Sequence, residues 1–143
     1  MSIKIAKASS SDMKKIEEMY KKLYAGDEKQ TFYSSKLSLT EFKSGQIILT
    51  AKDNDKIIGY CWVVWYQHIK EKGIAYLEEI YLEENVRGHA IGKAMINKTI
   101  HLLKDLKIRT IYVAVGKHMK DAQKFYKHIC FKESEEQWFK KEL

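Results

Sequence analysis

The 143-residue sequence predicts an α+β fold in three layers, with a mixed, mostly antiparallel central sheet flanked by helices. Three strand-like segments follow one another in the middle of the chain, and short turns join them, which favours antiparallel hairpins. A glycine-bearing loop, a helical pattern and a further apolar segment come next, and a crossover of this kind makes the flanking strands parallel. The length matches one domain, so we expect a single domain over residues 1–143.

The N-terminal part contains one strand-like and two helix-like patterns. Residues 2–7 alternate isoleucine with lysine, which predicts an edge strand. Ser9 to Asp12 offer N-cap oxygens for a first helix, which is expected to end near Ala25–Gly26. Ser38 to Glu41 fit a capping box and predict a short second helix that ends at Gly45.

Three strands are expected next. Gln46–Lys52 and Lys56–His68 are rich in β-branched and aromatic residues, and the turn residues 53–55 separate them. A second turn at residues 70–73 leads into Tyr76–Leu82. The short turns make these three strands consecutive and antiparallel.

The C-terminal half predicts two helices and the rest of the sheet. A helix from about Ile91 to Leu106 leads to a buried strand, Lys107–Val115, which should lie parallel to the strand that precedes the helix. A short helix follows at Lys120–Ile129, and Phe131 with Gln137–Leu143 is expected to complete the sheet. The inward positions of the two helices are expected to be Ile91, Met95, Leu102, Leu103, Leu106, Ala122, Phe125, Tyr126 and Ile129.

Composition narrows the class of protein. The sequence shows no secretory h-region and no apolar run of membrane-spanning length, so we expect a cytoplasmic protein with no membrane partner. The net charge of +7 comes from lysines scattered through every segment, and no nucleic-acid-reading motif is present, so we expect no nucleic-acid partner. Cys61 and Cys130 lie in apolar surroundings and are predicted to be small core residues. The five histidines lie in unrelated contexts and predict no metal site.

The loop after Tyr76–Leu82 has the features of an anion site. Its residues Arg87 to Lys93 contain one of only two arginines among 26 basic residues and precede a helix with unpaired N–H groups at its start. An ordinary strand-to-helix turn with a solvated arginine is the simpler alternative. A P-loop is excluded, because three residues instead of four separate Gly88 from Gly92 and alanine follows Lys93.

This loop resembles the pyrophosphate-binding loop of the GNAT superfamily of N-acetyltransferases. That motif reads Arg/Gln-x-x-Gly-x-Gly/Ala after an apolar strand, and here it is Arg87 to Gly92. Ala90 stands where the family favours glycine. If Ala90 needs a left-handed conformation, its methyl group costs about 1 kcal/mol.

A second stretch is similar to the family's Asn-x-x-Ala-x-x-x-Tyr and Gly-Phe signature. Ala122, Tyr126 and Phe131 fit it, while Met119 replaces the asparagine and Cys130 the glycine. The order of elements also matches the family, so the resemblance covers essentially the whole chain. The diamine (spermidine/spermine-type) acetyltransferases carry a similar run of leucine, two acidic residues and an apolar residue before their Arg-Gly, and this gives some further similarity to them.

The resemblance implies transfer of an acetyl group from acetyl-CoA to a primary amine by direct attack in a ternary complex, with no metal. It implies Glu78 as the base and Tyr126 as the acid. A merely solvated Glu78 and a Tyr126 that only fills the core are the structural alternatives. The cofactor-binding residues implied by the resemblance are Ile80, Tyr81, Leu82, Arg87, Gly88, His89, Ala90, Ile91, Gly92, Lys93, Met119 and Ala122.

The acceptor is expected to be a small-molecule or peptide amine. Glu79, Glu136 and Trp138 are candidate substrate-binding residues, because carboxylates and an indole ring suit a cationic amine. The departures at Ala90, Met119 and Cys130 keep open a second reading, a non-catalytic or degenerate acyl-CoA-binding GNAT domain. Many family members dimerise, and a homodimer is also left open.

Overall fold

The computed structural model describes residues 10–23, 42–54, 56–68 and 73–143. Two compact units are present, Met1–Val113 and Ala114–Leu143. The strand predicted at residues 2–7, the end of the first helix and the start of the second helix all lie outside the described residues. A single domain over the whole length stays a prediction.

A four-stranded sheet forms the centre of the first unit, in the order β1-β2-β3-β4. β1 (Phe42–Asp53), β2 (Lys56–His68) and β3 (Gly73–Leu82) are antiparallel neighbours. β4 (Thr110–Val113) runs parallel to β3. The mixed, mostly antiparallel sheet predicted from the sequence is therefore confirmed, and β2 has the predicted bounds.

Three α-helices and two 3-10 turns, Ser10–Asp12 and Glu84–Val86, complete the described elements. α1 (Met13–Leu23) follows a 3-10 turn at Ser10–Asp12. α2 (Ile91–Asp105) connects β3 to β4, and α3 (Lys120–His128) lies in the second unit. These three helices begin within a few residues of the predicted positions.

The second predicted helix is wrong at its C-terminal end, because Phe42–Gly45 belongs to β1. Phe42 is paired with His68 and Gly45 with Trp65. A Cβ atom at Gly45 would come within 2.9 Å of Trp65 Cζ2, so this glycine makes room for a cross-strand ring and does not cap a helix.

The predicted last strand, Gln137–Leu143 with Phe131, is also wrong. Within residues 114–143 the structure has no strand, and residues 132–143 are all exposed. Trp138 and Phe139 are adjacent and two lysines follow, so the segment lacks the alternation that a half-buried strand needs. The strand predicted at Lys107–Val115 is shorter, at four half-buried residues.

The core of the first unit lies between the sheet and α2. Residues from both sides are buried here: Cys61, Val63, Ala75, Leu77, Met95, Ile96, Thr99 and Leu103. The Cys61 Sγ lies 3.6 Å from the Thr99 Oγ1 across this interface. Met95 and Leu103 are inward as predicted, whereas Ile91, Leu102 and Leu106 are only half-buried.

α2 ends in a Schellman motif whose left-handed residue is not glycine. Lys107 has φ 61°, its N–H donates to the Lys104 carbonyl at 3.0 Å, and the Ile108 N–H donates to the Leu103 carbonyl at 2.9 Å. Leu103 and Ile108 are both buried, as the apolar contact of this motif requires. The motif turns the chain out of the helix and into β4.

Candidate functional site

A β-bulge places Glu78 outside the regular ladder of β3. Val63 is paired with Leu77, and the next residue back along β2, Trp62, is paired with Glu79. Glu78 is therefore the extra residue of the bulge. The pairing of β3 with β4 also stops at Leu77, because β4 ends at Val113.

The bulge exposes two consecutive carboxylates. Strict alternation predicts that Glu78 and Glu79 lie on opposite faces, but both are exposed in the structure. Glu79 accepts a hydrogen bond from the Tyr60 hydroxyl on β2. No hydrogen bond or ion pair joins the Glu78 carboxylate to any of the described residues. The two neighbouring glutamates therefore have different surroundings.

Tyr60 is the member of this group that sequence reasoning missed. The hydrogen bond to Glu79, followed by partial burial and the charge of that carboxylate, raises the pKa of the Tyr60 phenol. Tyr60 therefore stays protonated and acts as the donor of the bond at neutral pH. Its ring lies 6.2 Å from the ring of Tyr81, its direct cross-strand partner.

Arg87 folds back onto the end of β3. Its Nε donates to the Leu82 carbonyl at 2.9 Å, and its guanidinium carbon lies 5.7 Å from the centroid of the Tyr81 ring. The Nη groups make no hydrogen bond to the described residues, so both remain available to an anion.

The loop before α2 holds two residues in the left-handed region. Gly88 has φ 82°, and Ala90, the N-cap of α2, has φ 60° and ψ 8°. The left-handed conformation considered for Ala90 is thus present. The Ala94 N–H is the first to bond inside the helix, to the Ala90 carbonyl at 3.0 Å, which leaves the earlier N–H groups of the first turn unpaired within the helix.

His89 stabilises this loop from within. Its Nδ1 lies 3.3 Å from the Val86 carbonyl oxygen and 3.1 Å from that of Arg87. Carbonyl oxygens only accept hydrogen bonds, so Nδ1 carries the proton and donates. The predicted cofactor loop Arg87–Lys93 is therefore held by hydrogen bonds of its own and leads into the N-terminus of α2.

The second motif lies in the second unit, around α3. Met119 is the N-cap of α3 and makes no side-chain cap, while Ala122 lies half-buried in its first turn. The Gln123 side chain instead donates to the carbonyls of Gly116 and Lys117, at 2.9 and 3.2 Å. The Gln123 amide thus ties the preceding loop to the first turn of α3, but it does not cap the free N–H groups of that turn.

A Schellman motif at the C-terminus of α3 fixes Tyr126. The Cys130 N–H donates to the Lys127 carbonyl at 3.1 Å, and the Phe131 N–H donates to the Tyr126 carbonyl at 2.9 Å. The Tyr126 ring is buried and packs edge-on against Phe131, with centroids 5.4 Å apart. Cys130 occupies the left-handed position of the motif, with φ 69°.

Cys130 corrects one prediction, because it is exposed and is no core residue. Its role is to occupy a backbone position where glycine is favoured. Cys61 is buried as expected, and burial raises the pKa of its thiol.

The remaining substrate-binding candidates lie on an irregular segment. Glu136 and Trp138 are both exposed, and Trp138 is 67% exposed. The Glu136 N–H donates to the Ser134 hydroxyl at 3.1 Å.

In the part of the chain that is described, no three His, Cys, Asp or Glu side chains are grouped as metal ligands. No helix in the same ranges has an apolar stretch long enough to cross a bilayer.

The family follows from comparison with known sequences. The profile of the acetyltransferase (GNAT) family matches residues 13–130, which is most of the chain. The chain belongs to this family. The GNAT resemblance predicted from the two motifs is confirmed, and so is the GNAT-like α+β fold.

A curated relative supports the same assignment. An uncharacterized N-acetyltransferase of Methanocaldococcus jannaschii is 30% identical over 138 residues, which is 92% of this GNAT chain and 61% of the relative. The chain thus spans about three fifths of the length of this relative.

Solved structures share the GNAT fold. The aminoglycoside N-acetyltransferase AAC(6')-Iy, in complex with a bisubstrate analogue containing CoA, has a TM-score of 0.62 and 15% identity, with 96% of each chain covered. An aminoglycoside acetyltransferase from an uncultured soil metagenomic sample, in complex with sisomicin, has a TM-score of 0.63 and 19% identity, with 98% of this chain and 95% of that chain covered. At these identities the similarity concerns the fold.

Proposed function

We propose that this GNAT chain is an acetyl-CoA-dependent N-acetyltransferase acting on a primary amine. One arrangement carries the proposal: a strand bearing two exposed carboxylates is followed, after a 3-10 turn, by the loop with a free arginine head and free N–H groups that opens α2. The phosphates of a nucleotide thioester need N–H donors and positive charge, and an amine that attacks its acyl group needs a carboxylate as a base. The neighbour with a bound CoA-containing analogue and the curated relative, which is named an N-acetyltransferase, support the same reaction class.

The turn Arg87–Lys93 would bind the pyrophosphate. The unpaired N–H groups at the start of α2 and the Nη groups of Arg87 supply donors and positive charge. Ile80–Leu82 extends past the end of β4, so its backbone would pair with the pantetheine arm as an added strand. One N–H group of this segment would stabilise the oxyanion.

Glu78 is the proposed base. An aliphatic ammonium group has a pKa near 10, so the acceptor must lose a proton before its nitrogen can attack. Glu78 is exposed, and no contact with the described residues engages its carboxylate. Glu79 is already bonded to Tyr60, and this favours Glu78 for proton transfer.

Tyr126 is the proposed acid. As the amine nitrogen bonds to the acyl carbon, the C–S bond breaks and the sulfur takes a proton. The phenol would supply that proton, while the acceptor proton goes to Glu78, so the charges balance. The Schellman motif and the Phe131 ring hold Tyr126 in one orientation.

The second candidate, a non-catalytic acyl-CoA-binding domain, was motivated by three motif departures. Two of them retain the left-handed backbone that glycine would supply, at Ala90 and Cys130. These two departures therefore give no support to a degenerate site. Met119 is the remaining departure, since it leaves α3 without a side-chain N-cap.

Calorimetric titration with acetyl-CoA tests the cofactor assignment. Arg87→Ala should weaken acetyl-CoA binding by about tenfold, because it removes a charge-assisted contact to phosphate. It should leave binding of S-acetylpantetheine, which lacks the pyrophosphate, unchanged. Arg109→Ala is the matched control, because Arg109 is the other arginine of the chain and is exposed. Equal loss in both variants would refute the assignment.

Steady-state thiol release with a panel of amines tests the reaction. Glu78→Gln should lower kcat/KM by about a hundredfold near neutral pH. Tyr126→Phe should lower kcat far more than it changes acetyl-CoA affinity. Glu84→Gln, at another exposed glutamate, is the control. Tight acetyl-CoA binding without turnover of any amine would favour the non-catalytic candidate.

A further inference from the structure

The arginine of the loop before α2 is held at one nitrogen and on one face, and its outer edge is open. The Arg87 Nε donates to the Leu82 carbonyl at 2.9 Å. The guanidinium lies over the Tyr81 ring, with its carbon atom 5.7 Å from the ring centroid. The outer edge carries the two Nη groups, which make no hydrogen bond to the described residues. An arginine can bind two oxygens of a phosphate with an edge of this kind.

The Tyr81 ring is itself supported from the neighbouring strand. Tyr60 is its direct cross-strand partner on β2, and the two ring centroids are 6.2 Å apart. The Tyr60 hydroxyl donates to the Glu79 carboxylate, which fixes the orientation of Tyr60. Tyr81 is 43% exposed, so filling of the core does not explain a large aromatic side chain at this position. The two rings and the Arg87 guanidinium thus form one row from β2 to the loop.

A ring can hold this arginine without competing with a ligand. An arginine on an exposed loop loses rotamer freedom when it binds an anion, so holding it beforehand improves affinity. A carboxylate would occupy its N–H groups and compensate its charge, whereas a ring contacts only the face of the guanidinium. Glu83 and Glu84 are close to Arg87 in the sequence, yet neither forms an ion pair with it. The Tyr81 ring therefore leaves the charge and the Nη groups of Arg87 to a ligand.

We infer that Tyr81 is a positioning residue that presents the Arg87 guanidinium to the pyrophosphate of acetyl-CoA. The inference rests on the proposed function, because that function assigns the pyrophosphate to the turn Arg87–Lys93. In the proposed complex the Tyr81 backbone pairs with the pantetheine arm, and the side chain has this separate role. The ring does not touch the phosphates and acts through Arg87.

Equilibrium binding to the intact chain and its variants tests this inference. Tyr81→Leu, which removes the ring, should weaken acetyl-CoA binding about threefold and leave S-acetylpantetheine binding unchanged. Tyr81→Phe keeps the ring and should bind acetyl-CoA as the intact chain does. Tyr66→Leu is the matched control, because Tyr66 is 40% exposed and its ring lies beside Tyr76 instead of an arginine. This control should leave both affinities unchanged.

The arginine side chains give a second readout, which needs no cofactor. Arg87 and Arg109 are the only arginines of the chain, so protein with isotope-labelled arginine should give two Nε–H signals in an NMR spectrum. The Arg87 proton should exchange slowly, because it is bonded to the Leu82 carbonyl, and the nearby Tyr81 ring should shift its signal. Tyr81→Leu should move this signal, whereas Tyr81→Phe should not. The Arg109 signal should stay in place in both variants.

A double variant separates positioning from general damage. Tyr81→Leu should have no further effect on acetyl-CoA binding in the Arg87→Ala background, because the ring acts only through that guanidinium. An Arg87 signal that is unchanged in Tyr81→Leu would overturn the inference. Equal loss of acetyl-CoA and S-acetylpantetheine binding in Tyr81→Leu would overturn it too, since the ring would then support the strand and not the arginine.

Failure of the proposed function has a different signature. Weaker acetyl-CoA binding in Arg87→Ala but not in Tyr81→Leu would reject the inference and retain the cofactor assignment. Acetyl-CoA binding without turnover of any amine would reject the proposed reaction, and a loss of that binding in Tyr81→Leu would still support the inference. An intact chain that binds no acetyl-CoA would overturn both.

Discussion

Replacement of Ala90 by glycine should stabilise the protein. Ala90 has φ 60° and ψ 8°, where an L-residue with a Cβ atom is strained by about 1.5 kcal/mol. Glycine relieves this strain but costs about 0.7 kcal/mol in backbone entropy of the unfolded chain. The net gain in the free energy of unfolding is therefore about 0.8 kcal/mol, which corresponds to a rise in Tm of about 3 °C for a chain of this length.

Ala94→Gly is the matched control for this prediction. Ala94 is exposed and lies one turn further along α2, where glycine should cost about 1 kcal/mol. The two substitutions are chemically identical and should change stability in opposite directions. Urea unfolding followed by circular dichroism, with both variants compared at equal m-values, measures the difference. A destabilised Ala90→Gly protein would refute the argument from backbone strain.

Four other outcomes are expected. Lys107→Gly and Cys130→Gly should each stabilise the protein by about 1 kcal/mol, because both residues have positive φ in Schellman motifs, and unfolding curves measure this. Gly59→Ala should destabilise it by about 2 kcal/mol in the same assay, since a Cβ atom would lie 2.5 Å from the Tyr81 carbonyl oxygen. A thiol reagent should label Cys130 rapidly at pH 8, whereas Cys61 should resist labelling until unfolding, because burial shields its thiol and raises its pKa. Rapid labelling of two thiols in the folded protein would contradict this last expectation.

Much of the sheet was predictable because its local signals agree. β2 carries a long β-branched and aromatic run between two turns, and its bounds were predicted correctly. The parallel placement of β4 followed from the intervening helix. The start of β1 was missed because Phe42–Gly45 gains its strand conformation from pairing with β2, which local sequence does not reveal.

The sequence draws attention to the residues of the candidate site but does not predict their arrangement. Glu78 and Glu79 stand out as polar residues in an apolar strand, yet two adjacent identical residues do not reveal which one is extra in a bulge. The hydrogen bond from Tyr60 to Glu79 depends on the register between β2 and β3, which the bulge itself shifts. In the sequence, Tyr60 cannot be distinguished from the other aromatic residues of β2.

The bulge at Glu78 has a consequence for how this sheet could have changed during evolution. Leu77 and Glu79 already occupy consecutive places opposite β2, so removal of Glu78 would leave every other side chain of β3 on its present face. The core against α2 would be unaffected, since Ala75 and Leu77 would keep their pairings. Glu78 is thus a residue that the ladder can lose, and changes at this position can accumulate without any change in the pairing of the strands.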